Sequence, residues 1–401
     1  MPAKTRTTKA TRAPATTSTK PRATKTAKAP ATTSAKGTAL SLRALNRATL
    51  ARQMLLQREK VTPAAAVERL AGLQAQLARP PYLALWSRLE GFQREQLSRA
   101  IADRTLVRGT LMRATLHLVS ARDYRRFRLG FQPLLTQGMQ GVLRERATAL
   151  DIDRLVAEAQ AFFEEQPRTF EDLRDHLVGL FPGGDERAMG FAVRMHLPLV
   201  MVPTDDTWGY PANADFAVAT SWLGGPLDTG DASQALVRSY LGAFGPATVA
   251  DMQSWSGLKG LRAVVEAMRP ELLVLVDERG KELFDLPDAP RPAEDTPAPP
   301  RFLPDFDALI LGHADRTRII ADEHRPLVSK ATNLRILPTF LLDGRVAGTW
   351  SVARKRKTAT LTLEPFRALA KAERSALDEE GQALLRFAEP DASAFEIDVA
   401  K

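Results

Sequence analysis

From Leu40 onward apolar residues recur at helical spacing, and the first run, with Ser41 as its cap, predicts a helix through about Arg58. Thr62-Pro63 opens the next helix, since threonine caps an N-terminus and proline fits the first helical position. A short helix follows Pro80-Pro81, another runs from about Gln93 to Ala102, and "TLVRGTLMRATLHLVS" reads as two strands. Helices followed by a small two-stranded wing are the outline of a winged helix.

That outline recurs. "TPAAAVERLAGL" (Thr62 to Leu73) and "TFEDLRDHLVGL" (Thr169 to Leu180) share their threonine, a leucine at the ninth position and a final Gly-Leu. "TVADMQSWSGL" (Thr248 to Leu258) repeats the pattern one residue shorter. A helix precedes each copy (41–58, 151–165, 231–243) and a further helix follows. "LVMVPTDDTWGY" and "LLVLVDERGKELFDL" then supply a β pair after the second and third. The expected fold is mainly α with β: three tandem winged helices over 39–130, 131–225 and 226–288. A Pro-rich linker (289–301) leads to a C-terminal module over 302–401. There "LPTFLLDGRVAGTWSV" predicts a hairpin at Asp343-Gly344, "ARKRKTATLTLEPF" a third strand beginning with the basic run Arg354 to Lys357, and "AFEIDVA" a last strand after a helix from about Ala368 to Arg386. The module reads as β-rich and barrel-like.

Charge refines this picture because of where it lies. Nine of the 56 Lys and Arg fall between Met1 and Gly37, where there is no acidic residue, leaving 47 basic residues against 47 acidic ones elsewhere. The tail over 1–38, rich in Lys, Thr, Ala and Pro, lacks the apolar content to fold and is expected to be disordered. It suits a DNA backbone or another polyanion, with a solubilising extension as the alternative. No apolar run approaches the roughly 18 residues that span a bilayer, so a soluble, cytoplasmic, nucleoid-associated protein is expected. With no cysteine and five widely spaced histidines, neither a metal nor another cofactor is expected.

Gln74 and Gln76 fall where an apolar helix meets a double proline. On a continuing helix they lie about 200° apart, flanking a Leu70, Leu73, Leu77 stripe, and serve only as a polar helix end. Pro80 disfavours helical geometry at Arg79, and if the chain unwinds there, extended backbone points residues i and i+2 the same way, so that two amides meet.

The stretch "RQMLLQREKVTPAAAVERLAGLQAQLARPPYLALWSRL", with "TLVRGTLMRATLHLVSARDY", "LPDFDALILGHADRTRII" and "LPTFLLDGRVAGTWSV", resembles the winged-helix DNA glycosylases that unhook interstrand crosslinks. The best-known members protect antibiotic producers from azinomycin-type alkylators. The resemblance covers Leu40 to the C-terminus and implies three tandem winged helices and a C-terminal β-barrel arranged around DNA. It also implies a catalytic Gln–apolar–Gln motif, matched here by Gln74-Ala75-Gln76, and a β-hairpin near the lesion.

On this reading Gln74 and Gln76 position a water. Arg79, Arg108, Arg113, His117, Arg354, Lys355, Arg356 and Lys357 are the candidates for contacting double-stranded DNA with alkylated or crosslinked purines. The expected activity is that of a monomeric, monofunctional glycosylase acting on cationic N7-alkylguanine or N3-alkyladenine. The alternative is a non-catalytic winged-helix regulator or nucleoid protein.

Overall fold

A computed structural model of the protein describes residues 39–330 and 335–400. The basic tail lies outside the described residues. The repeat read from the sequence is present as a threefold succession of helix, threonine-capped helix, further helix and antiparallel strand pair. The capped helices are Pro63–Arg69, Phe170–Leu180 and Val249–Ser256. The Oγ of Thr62, Thr169 and Thr248 accepts from the backbone N–H of Ala65, Asp172 and Asp251 at 3.2, 3.1 and 3.1 Å. In the second and third copies the aspartate also returns a bond to the threonine N–H, satisfying two otherwise orphaned donors.

The preceding helices are Leu42–Arg52, Ile152–Glu165 and Ser233–Phe244. The first is shorter than expected. It closes at Gln53, where Leu55 N–H bonds the Leu50 carbonyl (2.9 Å) and Met54, at φ 55°, bonds that of Ala51 (3.1 Å). That is a Schellman ending with methionine in the left-handed position, so no helix reaches Arg58.

The first two strand pairs do not stand apart. Leu106–Thr110 with Leu116–Ser120, and Leu199–Met201 with Phe216–Val218, join through Gly109 opposite Val200, and a two-residue strand, Leu73–Gln74, completes a five-stranded sheet on the edge of Leu116–Ser120. The third pair, Leu273–Val276 and Glu282–Asp285, is separate. Residues 289–300 carry no helix or strand and are held across Leu42–Arg52, with Arg47 Nε donating to the Thr296 carbonyl at 2.7 Å.

The C-terminal module is an open sheet, not a barrel. Its order is Ala394–Val399, Thr358–Pro365, Arg345–Lys355, Thr339–Leu342, Arg301–Leu303, and among the described residues the two edges do not pair with each other. Closure is unnecessary because helix Lys371–Ala388 covers the apolar face, packing Leu377, Leu384 and Leu385 with Phe340, Leu361 and Leu363. The opposite edge is shielded by helix Pro80–Arg88, whose Ser87 hydroxyl bonds the Phe302 carbonyl. The hairpin falls at Asp343 (φ 46°) and Gly344 (φ 76°), both left-handed as a type I′ turn requires. The basic run does not begin a strand: Arg354 and Lys355 end one, and the chain turns at Arg356, φ 56°.

Two buried ion pairs tie distant segments together. Arg52 meets Asp285 at 2.6 and 2.9 Å, and Arg88 meets Asp307 at 2.9 and 2.8 Å. Replacing Asp307 with Ala leaves the Arg88 charge buried and uncompensated, and denaturant titration should show a loss of about 3–5 kcal/mol. Exchanging both residues for apolar ones of similar size should recover part of it.

Candidate active site

Helix Pro63–Arg69 ends ten residues before Arg79, where the double proline predicts the break. Gly72 N–H bonds the Val67 carbonyl (2.9 Å) and Ala71, at φ 55°, bonds that of Glu68 (3.1 Å), a second Schellman ending. Gly72 is at φ 92°, and a Cβ there would stand 2.8 Å from Val119 Cγ1, so the turn needs glycine on two counts. Arg79, in contrast, is helical (φ −68°, ψ −43°) despite preceding Pro80, because its carbonyl accepts the Tyr82 N–H and so joins the first turn of Pro80–Arg88. The chain therefore unwinds at Ala71-Gly72 rather than before the prolines. Leu77 leaves the apolar stripe and is 49% exposed.

Gln74 consequently lies in extended backbone, opposite His117 in the sheet. The next rung is altered. Ala75 N–H bonds the Leu116 carbonyl at 2.8 Å, but the Ala75 carbonyl is drawn aside by Arg108 Nε, also at 2.8 Å. The Leu116 N–H left without its backbone acceptor is taken by Gln76 Oε1 at 2.7 Å. Gln74 Oε1 accepts from Arg113 Nη2 at 2.7 Å. Both partners are donors, so neither amide can be flipped without setting N–H against N–H. Each oxygen keeps a second lone pair, and each NH2 end is turned away from these donors. Gln74 is buried and Gln76 exposed.

Arg108 is buried, with no carboxylate bonded to it among the described residues, and spans the motif through the Ala75 and Gln76 carbonyls, its guanidinium 5.1 Å from the Tyr210 ring. Burial lowers it to about 10, still charged at neutral pH, and raises the Tyr210 phenol. Arg113, at φ 52° in the turn between the two strands, also donates to the Trp255 carbonyl; burial first, then the Arg316 charge, lowers it to about 10. His117 is buried and bonds the Thr115 carbonyl through Nδ1 at 3.0 Å, so Nδ1 carries the proton and Nε2 the lone pair. Burial chiefly, and the Arg113 charge next, pushes it down to about 3. It is a neutral imidazole.

The structure thus gathers Gln74, Gln76, Arg108, Arg113 and His117. In this arrangement Arg108, Arg113 and His117 face inward and shape the motif. Arg79 is half-buried, 3.0 Å from Glu389 and 5.3 Å from the Trp208 ring. Arg354 approaches the same Glu389 at 3.8 Å, which brings the exposed turn Arg354 to Lys357 toward the segment after the motif. Beside Arg79 a cleft of about 450 Å³ is lined by Leu77, Arg79, Pro80, Asp305, Trp350 and Glu364. Sequence reasoning missed Tyr210, the Trp255 carbonyl and the Leu116 N–H; the last two are main-chain groups, invisible to residue type. Among the described residues there is no cluster of His, Asp and Glu suited to a metal, and no helix long and apolar enough to cross a membrane.

Comparison with known proteins decides the family. The profile of the AlkZ-like DNA glycosylases matches residues 67–387. The chain belongs to that family. It is 28% identical over 336 residues to the interstrand DNA cross-link repair glycosylase of Streptomyces sahachiroi, covering 77% of this chain and 87% of that protein. The solved DNA glycosylase AlkZ of S. sahachiroi shares the fold, with a TM-score of 0.73 at 22% identity over 90% of this chain and 100% of that one. The AlkZ-like match takes in the altered rung at Ala75 and every residue bonded to the two amides.

His117 has a consequence for stability. Its folded value lies below the ordinary 6.5, so the unfolded chain takes the proton first. Stability is full above pH 6.5 and falls as the pH drops from 6.5 toward 3. Urea unfolding at pH 7 and pH 5 should show that His117→Gln removes about 2 kcal/mol of the wild-type loss between them. His313, likewise held near 3 by burial, should retain its own share of the slope.

Proposed function

We propose that this AlkZ-like protein is a monofunctional DNA glycosylase that hydrolyses the N-glycosidic bond of cationic N7-alkylguanine or N3-alkyladenine, with Gln74 and Gln76 holding the attacking water. The observation that carries this reading is a pair of amides fixed by protein donors, Gln74 in the short strand and Gln76 at the bend just after it, with no carboxylate or lysine bonded to them among the described residues. Glycosidic cleavage passes through an oxocarbenium-like sugar, and ordinarily an acid protonates the leaving group. A purine alkylated at N7 or N3 already carries positive charge and departs neutral. No acid is then needed, and a water held by the second lone pair of one amide oxygen and the N–H of the other meets the remaining requirement. Neutral His117 fits a site that supplies no proton. With no lysine at the motif a Schiff base is not expected, and hence no lyase step.

We read the three repeated units as winged helices laid along duplex DNA, with the exposed Lys355, Arg356 and Lys357 reaching phosphates. The relative's name, a cross-link repair glycosylase, supports interstrand crosslinks as substrates here too. A monomer in the cytoplasm, associated with the nucleoid, is the setting this reading implies.

Purified protein incubated with duplex DNA containing N7-methylguanine should release free base and leave an abasic site, whereas uracil and 8-oxoguanine, neutral leaving groups, should stay. Joint replacement Gln74→Ala and Gln76→Ala should slow release by about 100-fold or more. Binding without release would sink the enzyme and favour a DNA-binding regulator.

A further inference from the structure

Arg108 belongs to the first repeat, but the group that holds its charge comes from the second. Its side chain leaves strand Leu106–Thr110 and reaches past the neighbouring strand Leu116–Ser120 to the motif. There Nε donates to the Ala75 carbonyl at 2.8 Å and Nη2 to the Gln76 carbonyl at 3.2 Å. Consecutive carbonyls of a strand point to opposite sides, so one guanidinium takes both only because the chain bends at Gln76. The two bonds fix the peptide groups on either side of Gln76, and with them the direction in which its side chain leaves the backbone for the Leu116 N–H. In place of a carboxylate, the guanidinium has the face of the Tyr210 ring at 5.1 Å. A ring face attracts a cation without offering it a strong acceptor, so the N–H groups stay with the two carbonyls. A carboxylate in that place would draw them away.

Tyr210 lies in the loop over 202–215 that joins Leu199–Met201 to Phe216–Val218. The loop is closed by the Val202 N–H on the Asp215 carbonyl (2.8 Å) and tightened by the Thr204 N–H on the Gly209 carbonyl (2.9 Å). Two residues before Tyr210, Trp208 meets the segment that follows the motif. Its ring stands edge-on to Tyr82 at 5.2 Å, with the guanidinium groups of Arg79 and Arg94 at 5.3 and 4.3 Å. One loop of the second repeat thus bears on both ends of the stretch from Ala75 to Tyr82, Trp208 directly and Tyr210 by way of Arg108. We infer that this loop braces the catalytic motif, with Tyr210 acting through Arg108 as a positioning residue for Gln76, an assignment that rests on the two amides being the hydrolytic site. A water held between two amides is placed no better than the backbone that carries them. Gln74 has a strand register and Arg113 to hold it, whereas Gln76, exposed and past the end of the strand, relies on its bond to Leu116 and on the Arg108 fork.

The test uses the full chain and two readouts: single-turnover base release from duplex DNA carrying N7-methylguanine, and affinity for a duplex carrying a tetrahydrofuran abasic analogue. Tyr210→Leu removes the ring face and should slow release about tenfold while changing affinity less than about twofold. Tyr210→Phe, which keeps the ring, should restore most of the rate. Arg108→Lys keeps a cation but loses the fork, and should lose a similar factor, so the test survives if Tyr210→Leu does not fold. In a Gln76→Ala protein, adding Tyr210→Leu should slow the residual release by less than about twofold, because the residue it positions is gone. An unchanged rate in folded Tyr210→Leu and Arg108→Lys proteins would overturn the brace. So would an equal loss with and without Gln76, or a loss of affinity that matches the loss of rate. Failure of the glycosylase reading looks different: the wild-type protein itself would release no base, and the assignment would fall with it.

Discussion

The main-chain bonds that would carry helix Pro63–Arg69 past Leu70 are closed back on Val67 and Glu68, and within two residues the chain has become a strand. Three properties of the site depend on that handover. Gln74 gains a register opposite His117, the Ala75 carbonyl becomes available to Arg108, and Leu116 is left with an N–H that only the Gln76 side chain meets. A side chain standing in for a backbone acceptor is held more firmly than a surface glutamine, because releasing it strands a donor. Gly72 is the residue on which this turn rests, since a side chain there would meet Val119 in a backbone conformation already unfavourable to it.

The electrostatics of the site follow from which groups it keeps dry. Arg108 and Arg113 remain cations bound to neutral oxygens, and His117 is held neutral beside them. A carboxylate in their midst would be captured as an ion pair and lost to the reaction. Amides escape that fate: they accept from arginine without surrendering their remaining lone pair or their N–H groups. Such a site orients rather than titrates, which accords with a leaving group that brings its own charge.

Much of the architecture is written in residue type. The three threonines mark the three capped helices because a cap is a local device, decided by one hydroxyl and the N–H three residues on. Asp343-Gly344 marks its hairpin for the same reason. The helix endings at Met54 and Ala71 escaped reading because alanine and methionine rarely take the left-handed position, and tertiary packing overrode their preference. Arg79 went the other way, adopting helical geometry before proline once the following turn claimed its carbonyl. The open sheet was likewise hidden, since alternation along a strand says which face is apolar but not whether a helix or another strand covers it. At the site, the pair Gln74 and Gln76 was legible and its surroundings were not: Trp255 lies 142 positions from Arg113 and contributes only a carbonyl.

The turn at Asp343-Gly344 has a bearing on how the molecule comes into being. Arg43 and Arg47 both reach Asp343, and Asn46 bonds the Gly344 carbonyl at 2.8 Å, across 300, 296 and 298 residues. The first helix of the fold, emerging early from the ribosome, thus waits for nearly the whole chain before its polar face finds its partners. Until then Asn46 and Arg47, both buried in the finished protein, stay in water. Contacts this remote in sequence carry a large loop-closure cost and are made late. The N-terminal and C-terminal modules are therefore finished together, and a truncated or stalled chain would expose the seam that joins them.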